Sequence, residues 1–258
     1  MRTTTPELNA EHHALQMLVL QCTLQTDTNL TRLTILGELT LRFLSVTSVP
    51  KLRWSSPTAF TMKPPLVSVA FLVIGLVIFG IGEALLITAG VGVSPWTVFA
   101  QGVTNTTGWS LGFATFIISA CVLLLWIPLK QTPGMGTILN AIIIALVLEY
   151  LLPYLPAFES YVANAVLALV GVLVTGFGGA IYLIANLGPG PRDGLMTGLQ
   201  AITHQPIALV RMFLELTVVA IGWALGGTLG LGTVFFALGI GPAMAIGMQI
   251  LQLRSTAD

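Results

Sequence analysis

Few side chains in the apolar part of this chain can do chemistry. Asp193 follows Arg192 in G-P-G-P-R-D-G-L-M-T-G-L, residues 188–199, the only adjacent Arg-Asp pair in the sequence. Pro191 suits the first position of a short helix, where backbone N–H groups and the helix dipole favour an anion. A carboxylate left free there in a polar cleft binds a cationic group or takes up a proton. Adjacent helical residues point apart, so Arg192 need not neutralise Asp193. Glu83 interrupts a glycine-rich stretch, Gly75, Gly80 and Gly82, whose small face suits close helix packing. It is expected to face protein or a cavity, in a substrate or proton role. Glu215 sits in the middle of an apolar segment, where an ionised carboxylate costs several kcal/mol unless paired, hydrated or protonated. Arg211 precedes it by one helical turn, and an internal ion pair is the simplest account.

The motif that holds Asp193 has a relative earlier in the chain. Residues 92–103 read G-V-S-P-W-T-V-F-A-Q-G-V, and an offset of 96 pairs Gly92 with Gly188, Pro95 with Pro191 and Gly102 with Gly198. At the same offset Gly75, Gly80, Gly82, Gly134 and Gly136 also recur. These residue types fix backbone geometry through positive φ, close approach or helix breaking, so the chain is read as an internal duplication. Gly190 and Gly194 complete the second motif. Its helix would carry Asp193, Thr197 and Gln200 on one face; the first copy carries Thr97, Gln101 and Thr104 there, with Trp96 at the place of Arg192. Thr97 is the weakened counterpart of Asp193. About eleven helical residues rise ~16 Å, half a bilayer. The spacing fits two arrangements: half-helices entering from opposite sides to a shared central site, or amphipathic helices lying in the interface.

The elements that must position these residues are apolar. Of 258 residues 55% are hydrophobic and 8% charged, a membrane composition that excludes a nucleic-acid surface. Six segments, 66–89, 110–129, 138–155, 162–187, 207–226 and 233–251, each approach the ~20 residues that cross a bilayer as a helix. With Lys63 in the cytoplasm, Lys130, Arg192 and Arg254 fall on the same side, Arg211 snorkels to it, and the external loops hold no Lys or Arg. Both termini are then cytoplasmic and the membrane is the inner one. Three spans per copy force the second copy in from the opposite side. The predicted fold is an all-α membrane protein, six transmembrane helices as a 3+3 inverted-topology repeat, with short Gly/Pro-initiated helices after spans 1 and 4. The repeats are 62–161 and 162–258. Residues 1–61 hold 9 of the 20 charged side chains and no span; they read as a disordered or weakly helical tail, or as sequence upstream of a true start at Met62.

Other patterns carry less. Gly108-Trp109-Ser110-Leu111-Gly112 matches G-x-S-x-G but leads into a membrane helix, without the strand and partners a nucleophile elbow needs. Cys22 and Cys121 have no metal or disulfide spacing, Cys121 reading as a packing residue, and His12-His13 lacks further ligands. No metal, cofactor or enzymatic role is expected.

G-x-S-P-W followed by Q-G, G-P-G-P-R-D-G-L-M-T-G-L, and E-L-T-V-V-A-I-G-W-A-L-G-G-T-L-G-L-G-T over residues 215–233 resemble the YczE/YyaS/YitT family of bacterial integral membrane proteins, most closely its YczE branch. The resemblance covers about 66–251 and implies no substrate. Members usually carry Asp where this chain has Thr97, so it retains only Asp193 of that pair. The expected function is movement of a small solute or export of a metabolite; the alternative is an accessory or scaffold protein for a partner enzyme or biosynthetic complex. The expected partners are the lipid bilayer, a small solute, and a second copy or another protein.

Overall fold

The computed structural model of the chain describes residues 49–61, 63–156 and 158–255, with side chains through 253. Met62 and the tail to residue 48 lie outside the described residues. Val46–Asp258 form one compact unit. Its described part is helical, without strands: α1 Leu66–Thr88, α2 Pro95–Thr107, α3 Leu111–Leu125, α4 Met135–Leu151 with a 3-10 turn Leu152–Tyr154, α5 Tyr161–Ile184, α6 Pro191–Thr203, α7 Ile207–Ala224 and α8 Leu231–Ser255. Helices are what an apolar chain must form in lipid, since each satisfies its own backbone. Five are long and apolar enough to cross a membrane, and six spans result if the bent pair α2 and α3 counts as one. The chain is a multi-pass integral membrane protein.

The 96-residue offset recurs in the element starts: Pro95 and Pro191, Leu111 and Ile207, Met135 and Leu231. It recurs in the backbone too. The eight described residues with positive φ fall into four pairs at that spacing: Gly90 and Asn186, Gly92 and Gly188, Gly108 and His204, Lys130 and Gly226.

Centrally, α1 and α5 pack antiparallel. Gly75 faces Tyr182, Gly82 faces Thr175, and Gly171 faces Leu86. A Cβ on Gly82 would collide with the Thr175 backbone, and one on Gly178 with that of Phe79, so these glycines let the two backbones touch. Outside this pair α4 packs on α1 and α8 on α5, while α2 packs on α3 and α7, and α6 on α3, α4 and α7.

Three details depart from the sequence reading. The second apolar segment, expected over 110–129, is helical only to Leu125. Turns follow because Pro128 cannot continue a helix, and because Trp126 is drawn inward to donate its indole N–H to Pro191 O at 3.0 Å. Alone, fifteen residues rise ~22 Å, short of a span. Residues 49–61, read as part of the tail, instead lie on the bundle: Trp54 stacks on Phe71 at 4.2 Å, Ser68 donates to Trp54 O, and Ser56 N donates to Ala185 O. Cys121 is exposed rather than packed.

Candidate functional site

The site is built where α2 and α6 begin. Gly92, at φ 113°, turns the chain against Gly230, and Ser94 then precedes a helix whose first residue is Pro95. That turn directs Ser94 and Thr97 at Glu83 on α1. Ser94 Oγ lies 2.9 Å and Thr97 Oγ1 2.8 Å from Glu83 Oε2, and the two hydroxyl oxygens are 2.8 Å apart. All three side chains are buried, Glu83 at 2% exposure. Its second oxygen, Oε1, is buried without a hydrogen-bond partner, as is Trp96 Nε1.

The second motif repeats the turn with different chemistry. Gly188, at φ 108°, turns against Gly134, and Thr137 donates to Pro189 O at 2.7 Å. Trp126 lies flat against Gly194, where any Cβ would meet its ring. Asp193, in the first turn of α6, accepts a hydrogen bond from the Tyr182 hydroxyl at 2.7 Å. No side chain caps this helix, so Asp193 is engaged across to α5 rather than with its own backbone. In the first copy the spanning helix supplies the acid and the short helix the hydroxyls; in the second these roles are exchanged.

The two starts meet. The Arg192 guanidinium lies over the Trp96 ring, 5.3 Å from its centroid, in cation–π geometry. Residue 192 is residue 96 plus the repeat offset, so each motif touches the other at its own equivalent position. Burial lowers the pKa of Arg192, and the groups that act to raise it are, in order, Glu83, Asp193, Tyr182 and Glu215. Among the described residues the only ion pair is Arg211–Glu215, so Arg192 stands near acids without being paired to one.

Of the residues singled out from sequence, Glu83, Trp96, Thr97, Arg192 and Asp193 gather here, positioned by Gly92, Pro95, Gly188, Gly190, Pro191 and Gly194. Others do not join them. Gln101 Oε1 accepts from Thr228 N at 2.9 Å, and Thr197 is exposed and donates to Gly194 O. Gly198 packs on Leu129 and Gln131. Arg211 and Glu215 form the expected pair, 2.8 Å apart, in a cleft of about 410 Å³ between α7 and α8 that reaches Pro95. Ser110 of the G-x-S-x-G match caps α3, accepting from Phe113 N. Sequence reasoning missed Ser94, Tyr182 and Trp126. Ser94 was legible as the residue before a helix-opening proline; nothing local marks the other two.

The sequence model of a family of unknown function, DUF6198, matches residues 66–249, a range that contains both motifs and every helix that holds the site. The chain belongs to the DUF6198 family. An uncharacterized protein of Haemophilus influenzae is 40% identical over 203 residues, 79% of this chain and 92% of that protein. The uncharacterized membrane protein YczE of Bacillus subtilis is 31% identical over 186 residues, 71% of this chain and 86% of that protein, which bears out the YczE resemblance. No solved structure matches this DUF6198 chain.

Proposed function

We propose that the protein moves a small solute across the inner membrane by alternating access between two three-span copies of inverted topology. The observation that carries this reading is the meeting of Arg192 with Trp96. It joins two short helices that begin beside carboxylates, Glu83 buried and Asp193 half-buried, each helix too short to cross the bilayer, as the discontinuous helices of transporters do around a central site. Antiparallel α1 and α5, together with the four pairs of positive-φ residues, support the inverted repeat. The basic residues support cytoplasmic termini. In this reading Asp193, oriented by Tyr182, takes the cationic group or proton, and Arg192 the opposite charge.

The test is flux in vesicles reconstituted with the purified full chain, over a panel of amino acids, amines and small organic acids. Asp193→Asn is expected to reduce flux at least tenfold while inserting at normal levels. Normal flux in that variant removes Asp193 from the site. No flux for any solute, together with stoichiometric recovery of a partner enzyme, replaces the transporter with the accessory reading.

A further inference from the structure

The triangle of Glu83, Ser94 and Thr97 can be counted in hydrogens. Three oxygens lie at 2.8, 2.8 and 2.9 Å from one another, each separation short enough to need a proton between them. The two hydroxyls supply two. An ionised carboxylate supplies none, which leaves one edge as two lone pairs facing each other. A protonated carboxyl supplies the third: Glu83 donates to Ser94, Ser94 to Thr97, and Thr97 back to Glu83. Ser94 has no competing duty, since its side chain accepts no capping bond from α2.

The other oxygen points the same way. Glu83 Oε1 is buried and receives no donor. As half of an anion it would carry charge out of water with no hydrogen bond at all; as the carbonyl oxygen of an acid it is a neutral orphan, which costs far less. Arg192 of α6 interacts electrostatically with Glu83, and in turn with Asp193 of α6, Tyr182 of α5 and Glu215 of α7. That cation rests on the Trp96 ring and forms no ion pair with Glu83.

We propose that Glu83, Ser94 and Thr97 form an occluded proton-binding site, with Glu83 holding the proton and Arg192 held on Trp96 as the counter-ion that replaces it. When the start of α2 moves away from α1, the O–H bond of Glu83 breaks, the proton passes to water, and the carboxylate left behind draws Arg192. This deepens the transport reading by naming a proton as the coupled ion, but its test does not need transport.

The full chain in lipid nanodiscs is compared with Glu83→Gln by infrared difference spectroscopy at neutral pH. The wild type is expected to show a protonated-carboxyl C=O band that Glu83→Gln lacks and that shifts in Ser94→Ala and Thr97→Val. Loss of an ionised-carboxylate band in Glu83→Gln overturns the proposal. If Glu83→Gln does not fold, an unmoved carboxyl spectrum in both hydroxyl variants overturns it equally. Asp193→Asn is expected to keep the band. A band without flux therefore defeats transport alone, and flux without a band defeats this site alone.

Discussion

Helices α3 and α4 lie against each other, whereas α7 and α8, which begin at the same offsets in the second half, make almost no contact. In the first half Gly112, Thr115 and Ser119 form a buried stripe on α3, and a Cβ on Gly112 would fall 2.6 Å from Ala145 O. The equivalent stripe on α7 is Ala208, Arg211 and Glu215, and all three line the open cleft. Gly241, which stands where α4 has Ala145, has nothing within 4 Å of where a Cβ would be. Two small polar side chains can be buried between helices with hydrogen bonds to their own backbone. An ion pair cannot be buried so cheaply, because desolvating both charges costs more than their attraction returns. The same helix plan thus gives one closed seam and one open one, with Arg211 and Glu215 in the open seam where the closed one has Thr115 and Ser119.

The largest effect is expected where the seam is closed. Gly112→Leu forces a side chain into the α4 backbone and into Glu149, and overpacking of this kind costs about 1–3 kcal/mol. Thermal unfolding in detergent should show a clear drop. Gly241→Leu places the same side chain in open space and should leave thermal stability unchanged, while reducing flux if α7 must close on α8 during transport. Equal destabilisation by both substitutions would show that the two seams are alike in solution.

A smaller effect is expected at the bond that ties the first half to the second. Trp126→Phe keeps an aromatic ring on Gly194 but removes the indole donor to Pro191 O, a loss of about 0.5–1.5 kcal/mol for one hydrogen bond. The equivalent position is Gly222, which meets Phe99 by backbone approach. Trp126→Phe should therefore loosen α6 and leave α2 protected, a difference that hydrogen exchange of the two helices measures.

The sequence revealed whatever is written locally. Pro95 and Pro191 announced the starts of α2 and α6, because proline pre-sets φ at the first helical position, and Arg211 with Glu215 was readable as a pair one turn apart. Thr97 looked like a weakened Asp193 because only its own motif was in view; it meets Glu83 of the preceding helix, so the first copy has its carboxylate after all, on α1. The end of α3 was misjudged since Trp126, Ile127 and Leu129 continue the apolar run, and the partner that pulls Trp126 inward lies 65 residues on. Residues 49–61 were read by composition as tail, yet Trp54 covers Phe71 and the Ser56 backbone N–H donates to Ala185 O at the end of α5.

The last prediction turns the open seam into the closed one. If Arg211 and Glu215 hold α7 away from α8, then Arg211→Thr with Glu215→Ser gives α7 the polar stripe that α3 carries. The pair is half exposed on the Arg211 side, so losing it costs little stability, as exposed ion pairs usually contribute little. What should change is the distance between the helices. Cysteines at Ala208 and Gly241 stand at the places of Gly112 and Ala145, which are in contact in the first half. A Cys121→Ala background leaves only Cys22 as a native thiol, far from both in sequence. In the wild-type stripe, disulfide formation between the two cysteines should be slow, since thiols joined only after helix movement wait for that movement. In the Thr/Ser stripe it should become several-fold faster, read as a mobility shift after mild oxidation. If crosslinking is fast in both, the cleft closes without help and the ion pair does not set it. If it is slow in both, some other contact holds α7 out.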